Sequence, residues 1–297
     1  MTKHILKVIT RSAEQWIKGI ELCRKKCKED HISVLVIDFS ETYFLEPYHI
    51  VSLACLIEEN YKDNVTIEFV ASTNYHINHY LTNIRLLEYW SLRFNRNAFT
   101  KLKIETALCL WQVRNDMIDG YATEAQKYFQ NAYLKGKSLD SLHISLTEVF
   151  NNIFDHSGSL VDGYVLTQYY PKIGKIVTSI CDFGIGIPKK INQYWIDHKK
   201  EMLPDDLALK AALKRKVSSQ STPHNRGFGL ANILDSVSKL GGEVEIRSNY
   251  AVFSMSEGMR RSYLSNKYFS GTLIIITFNE RYLPDIEVEV ASEDFNF

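Results

Sequence analysis

Two apolar runs constrain this chain more than any other feature. Val34 to Phe39 and Leu273 to Phe278 are built mainly of β-branched and large apolar residues, and each is strand-sized, far short of the roughly 20 residues a bilayer span needs. The second run, Leu273-Ile274-Ile275-Ile276-Thr277-Phe278, scarcely alternates with polar residues, which marks a strand buried within a sheet. The opening MTKHILKVIT carries no signal-peptide pattern. The expectation is a globular, cytosolic protein that makes no contact with a membrane.

Around these runs the chain alternates strand-like and helix-like patterns, as a mixed sheet with crossover helices does. Ile5 to Ile9, Ile32 to Phe39 and Val65 to Val70 read as strands. Between them Trp16, Ile17, Ile20 and Cys23 recur at helical spacing, and so do Ile50, Leu53, Ala54 and Ile57. Pro47 suits a first helical turn, where its missing N–H costs nothing. Residues 96–138 are polar-rich, with a helical stretch from Ala122 to Tyr133, and read as a helical connector. The expected fold class is α/β (α+β). A small mixed α/β domain covers 1–95, the connector follows, a second α/β sandwich domain covers 139–282, and 283–297 form a tail.

Composition narrows the partners. Lysine plus arginine and aspartate plus glutamate each total 35, so no net positive field gathers nucleic acid or anionic lipid. The five cysteines, Cys23, Cys27, Cys55, Cys109 and Cys181, lie mostly inside apolar periodic segments, which suits buried thiols in a reducing compartment. Cys23 and Cys27 share a helix face, but no second Cys or His pair at ligand spacing accompanies them, so they read as packing residues.

Chemistry concentrates in four places. From Ser141 to His156 the apolar residues Leu142, Leu146, Val149, Phe150 and Ile153 line one helical stripe, leaving Glu148, Asn152 and Asp155 together on another. A solvated face would give the same spacing, yet asparagine is a mediocre helix former with no packing reason to be there. Next, the strand-like Lys175 to Cys181 runs into Asp182-Phe183-Gly184-Ile185-Gly186-Ile187-Pro188, a carboxylate at a strand end followed by two glycines. Such glycines admit positive φ and close approach to a ligand, although an ordinary turn would look alike. Third, Arg226-Gly227-Phe228-Gly229-Leu230 opens an apolar-periodic helix, and N–H groups exposed at a helix start suit a phosphate chain. It is not a P-loop, since no G-x-x-x-x-G-K-[ST] occurs, and a G-x-G-x-x-G is absent there too. Last, Gly271-Thr272 heads the run Leu273 to Phe278, where a hydroxyl could reach a ligand. The polar stretch from Lys214 to Asn225 reads as a mobile loop.

In this order the four elements resemble the asparagine box, the two glycine boxes and the final strand of the GHKL (Bergerat-type) ATPase family, which includes gyrase, MutL and the histidine kinases. The resemblance spans Ser141 to Phe278 and implies a Bergerat-type sandwich that binds ATP or ADP with Mg2+. It assigns Glu148 as the general base that activates water, Asn152 as the magnesium ligand, and Asp155 and His156 to the phosphate side. Asp182 would accept a hydrogen bond from the adenine amino group, with Gly184, Gly186 and Ile187 shaping that pocket. Gly227, Phe228, Gly229 and Leu230 would form the phosphate-binding turn, Thr272 would touch the adenine side, and the stretch before Arg226 would be the ATP lid. Arg226 is placed to reach a phosphate, or else to pair with Glu148 or Asp155.

The first hundred residues more loosely resemble a STAS-like domain. The resemblance rests on Asp38 ending an apolar strand, a loop with Phe44-Leu45-Glu46, and an apolar helix. Antagonist members carry Ser or Thr at the start of that helix, where this chain has Pro47, Tyr48 and His49, so no phospho-switch is expected there. The same pocket serves three chemistries. Hydrolysis governing the N-terminal domain, a protein partner or a second copy is the leading expectation. Phosphorylation of a protein, in the manner of anti-sigma-factor kinases, is the alternative, and a non-catalytic ATP-responsive module is the third. Neither His79 nor His143 sits in an autokinase acceptor motif.

Overall fold

The computed structural model describes residues 2–9, 12–91, 93–95, 106–113, 118–156, 163–214 and 229–286, with the side chains of 118, 119, 151–156 and 229 outside that description. The fold is mixed α/β, as the alternating patterns predict. Strand β1 (Lys3–Lys7), helix α1 (Ala13–Glu29), β2 (Val34–Asp38), α2 (Pro47–Lys62) and β3 (Thr66–Val70) make a three-stranded sheet in the order β1-β2-β3, all parallel. Parallel neighbours need a crossover, and the two helices supply it. Ser12 caps α1 by accepting the Gln15 N–H. Pro47 opens α2, and His49 Nδ1 accepts the Glu46 N–H at 3.1 Å. Helix α3 (Tyr75–Asn83) follows β3.

The second sheet is five-stranded and antiparallel, in the order β4-β5-β6-β8-β7. Its members are β4 (Trp111–Gln112), β5 (Tyr164–Tyr170), β6 (Lys175–Asp182), β7 (Glu243–Ser256) and β8 (Met259–Asn279). Helices α4 (Ile118–Ala132), α5 (Asp140–His156), α6 (Ile187–Asp197), α7 (Asp205–Ala212) and α8 (Gly229–Lys239) complete the described α-helices, and a 3-10 turn, Glu280–Tyr282, follows β8. The run read as a strand from Leu273 is only the last third of β8. The strand passes through Gly271 instead of starting there, and its first half is too polar to show an apolar run.

Two cores flank the five-stranded sheet. On one face Leu142, Leu146, Val149 and Phe150 of α5 pack with Ile233, Leu234 and Val237 of α8 against Ile176, Ile180, Ile274, Ile276 and Ile246. The opposite face carries Tyr164, Leu166, Cys181 and Leu273, which join α1, α2 and the Leu6, Leu35 and Ile37 side chains of the parallel sheet in one cluster. Helices α1 and α2 therefore lie between the two sheets. Every residue of α2 from Pro47 to Glu58 is buried, which fits a helix apolar on most sides. Its polar groups find partners in the adjoining layers. Ser52 Oγ accepts the Trp16 indole N–H at 2.7 Å, the Cys55 thiol donates to the Cys181 carbonyl at 3.2 Å, and Glu58 accepts from Trp90 Nε1 at 2.6 Å and Tyr164 OH at 2.9 Å. Among the described residues no helix is long and apolar enough to cross a membrane.

Candidate functional site

A strand turns alternate side chains to each face, so the row that faces α5 and α8 can be followed along each strand. On β6 it runs Ile176, Thr178, Ile180 and then Asp182. On β8 it runs back through Phe278, Ile276 and Ile274 to Thr272, and on β7 it runs Val244, Ile246 and then Ser248. Asp182 pairs in register with Thr272, and Thr272 with Ser248. Three polar residues thus stand abreast on neighbouring strands where the apolar core of that face stops.

The hydroxyls are coupled. Ser248 Oγ donates to the Gly271 carbonyl at 2.8 Å and accepts the Ile187 N–H at 2.9 Å. A hydroxyl has one proton, so in the 3.2 Å contact between Ser248 Oγ and Thr272 Oγ1 the threonine is the donor. The Thr272 oxygen keeps acceptor capacity for a ligand.

Asp182 is 3% exposed, and the Gly184 N–H donates to its Oδ1 at 2.7 Å. Burial raises its pKa to about 7, against the opposing pull of that N–H and of the Arg24 charge. The loop after it is fixed to β7. Gly186, at φ +84°, caps α6, and a Cβ there would meet Asn249 Nδ2 at 2.5 Å. Asn249 donates to the Ile185 carbonyl at 3.1 Å and accepts the Lys189 N–H at 3.3 Å. Positive φ is thus found at Gly186 and not at Gly184, whose part is its N–H. Gly271 has a different constraint. At φ +117° a Cβ would fall 2.1 Å from the Asp182 carbonyl oxygen, so only glycine lets β8 approach β6 so closely beside the carboxylate.

Glu148 sits half-buried on α5, and burial raises its pKa, opposed by a hydrogen bond from the Asn232 side chain. That bond ties α5 to α8. Leu230, on the first turn of α8, is buried in the core that α5 shares, and Gly229 begins the helix. Asn152, Asp155 and His156 lie on the last turns of α5, but their side chains are outside the description. Arg226, Gly227 and Phe228 lie outside the described residues, as does the expected lid apart from Lys214. Of the expected site residues, the structure brings Asp182, Gly184, Gly186, Ile187 and Thr272 together at one end of the sheet. Glu148 and Leu230 share the helical layer on that face.

Sequence reading missed Ser248, Asn249 and Asn232. Asn232 carried a usable signal, since it is an asparagine inside an apolar-periodic helix, as Asn152 is. Ser248 and Asn249 carried none, because only the fold sets Ser248 beside Thr272 and Asn249 beside the Ile185–Gly186 loop. Chemically, a desolvated carboxyl flanked by hydroxyls suits recognition of an amino-bearing heterocycle edge. A carboxylate with a raised pKa suits proton abstraction. Among the described residues no group of three or more His, Cys, Asp or Glu side chains is arranged to hold a metal ion. No protein-family model matches this sequence, and comparison with curated proteins gives no match.

Proposed function

We propose that the chain binds Mg-ATP at the Asp182 end of its five-stranded sheet, as a GHKL-type domain over 139–282, and hydrolyses it. The observation that carries this reading is the rank Asp182, Thr272 and Ser248, set in register at the polar end of a sheet face whose other side is closed by the Glu148 helix. In this reading Asp182, ionised, accepts a hydrogen from the adenine amino group and Thr272 offers its hydroxyl oxygen to the same edge. Glu148, oriented by Asn232, takes the proton of the attacking water. Asn152 is the residue that would hold magnesium, which when bound would neutralise phosphate charge. These acceptors suit the amino-bearing edge of such a ligand. All five cysteines are free thiols, which supports a reducing compartment, the cytoplasm in our reading. We further infer that turnover governs the STAS-like half, over 1–95, or a protein partner.

Calorimetric titration with Mg-ATP and Mg-GTP tests the base site. ATP should bind far more tightly, because guanine offers a carbonyl acceptor where adenine offers an amino donor. Asp182→Asn should weaken ATP binding most. Equal affinity for the two nucleotides would remove the assignment. Phosphate left on a protein instead of released would favour the kinase reading.

A further inference from the structure

Ser270 lies just before Gly271 and Thr272 on β8, at the point where β8 has run past the end of β6. Side chains of α1 occupy the position a strand would take. Glu21 Oε1 accepts the Ser270 N–H at 2.8 Å, and Arg24 Nη1 donates to the Ser270 carbonyl at 3.4 Å. The same guanidinium lies 4.1 Å above the ring of Phe183, the residue after Asp182, and that ring meets Phe269 edge-on at 5.9 Å. Arg24 is itself held by a fork, its Nε and Nη2 donating to the two carboxylate oxygens of Glu59 on α2 at 2.6 and 2.7 Å. Lys28 Nζ lies 2.8 Å from the same carboxylate. Glu59 alone would satisfy the charge of a stabilising pair. The rest of the guanidinium surface is spent on the two segments that bound the Asp182–Thr272 pair.

We propose that Arg24, with Glu21 and Glu59, is a positioning residue through which the N-terminal half sets the competence of the Asp182 site. Its grip on Phe183 and Ser270 holds the carboxylate and Thr272 in register. Occupation of the site and firm docking of α1 are therefore linked events, and each strengthens the other by the same factor. The titratable groups around the contact are Glu21, Arg24 and Lys28 on α1, Cys55 and Glu59 on α2, Cys181 on β6 and Lys189 on α6, with Glu148 on α5 across the sheet face. Of these Arg24 is the one whose charge favours the ionised form of Asp182. The identity of the ligand rests on the nucleotide reading above; the positioning role does not.

Two measurements on the full chain, with and without Arg24→Met, test this. The first follows the Asp182 carboxyl by carbon NMR and the amides of Ser270 and Gly184 by hydrogen exchange, in the absence of nucleotide. Arg24→Met should move the Asp182 midpoint to higher pH and speed exchange at both amides. Leu6→Ala, which weakens the same half far from the loop, should lower thermal stability and change neither. The second measures Mg-ATP affinity against pH, where Arg24→Met should bind roughly fivefold or more weakly, with the loss beginning at higher pH. Arg24→Lys should restore the midpoint and not the exchange protection, because lysine has the charge without the planar fork. If Arg24→Met does not fold, Arg24→Met/Glu59→Gln removes the carboxylate charge it would strand. An unchanged Asp182 midpoint and unchanged exchange, whatever the thermal stability, overturns the proposal. Changes in both without any ATP binding by the wild type would leave Arg24 its role and remove the nucleotide reading.

Discussion

The two faces of the five-stranded sheet are both buried, and they end differently. Toward α1 and α2 the face finishes at Phe183 and Ser270, where Arg24 and Glu21 meet the ring and the backbone groups. Toward α5 and α8 the apolar rows finish at Asp182, Thr272 and Ser248, where the carboxyl has an N–H from Gly184 and the balance of forces raises its pKa to about 7. One face is closed by the chain's own charges. The other holds a carboxyl whose desolvation the fold leaves largely uncompensated, and such groups concentrate where a ligand supplies the missing partner. A polar group at the end of a core is informative only once its compensation is counted.

The difference between the faces can be broken by substitution. The largest effect is expected at Glu148, on the side of α5 and α8. Glu148→Gln should lower phosphate release by roughly a hundredfold or more while nucleotide affinity holds, with both measured on one preparation. Unchanged release would remove its role as base. Next is Gly271→Ala, which forces a Cβ to 2.1 Å from a backbone oxygen at φ +117°. It should cost roughly 3 kcal/mol or more in urea denaturation, and a cost near zero would show that the strands can part there.

Asp182→Asn in the nucleotide-free protein sharpens the comparison through pH. The folded pKa is raised, to about 7 from an ordinary 3.8, so the folded state holds the proton more tightly than the unfolded chain. Stability from this group is complete below the unfolded value and is lost as pH rises through about 7. The wild type should therefore fall behind Asp182→Asn between those limits, by on the order of a few kcal/mol at pH 8. Parallel stability curves for the two proteins would show that Asp182 is already compensated. The smallest effect belongs to the closed face. Cys55→Ala, which removes the thiol bonded to the Cys181 carbonyl, should cost on the order of 1 kcal/mol and leave any nucleotide-induced rise in melting temperature unchanged. A diminished rise would mean that coupling to the ligand runs through α2 as well as through Arg24.

Legibility in the sequence follows from how local each feature is. The helix from Asp140, the strand ending at Asp182 and the helix from Gly229 were readable because periodicity, a strand-ending carboxylate and paired glycines lie within a few residues of one another. β5 and β7 were not, and neither was the polar first half of β8. Tyr164–Tyr170 mixes polar and aromatic residues, and β7 carries register shifts at Ser248 and Asn249 that break its alternation. The residue after Asp182 drew no reading of its own from the sequence. Its partner Arg24 lies on the first helix, and nothing in a linear pattern joins them. Ser248 was invisible for the same reason.

The burial of α2 between two sheets has a consequence for synthesis. Its neighbours in the parallel sheet are complete once β3 has been made, so that side of the helix can be covered early. The other side waits: Cys55 of α2 meets a carbonyl 126 residues later in the chain, and Arg24 of the neighbouring α1 meets one 246 residues later. An emerging chain thus carries a bare apolar face on α2 until β5 and β6 are made, and α1 lacks its partner until β8 follows. Contacts of such separation slow folding and leave that face open to aggregation, so the step at which β8 seats is where a nascent copy of this protein is most in need of protection.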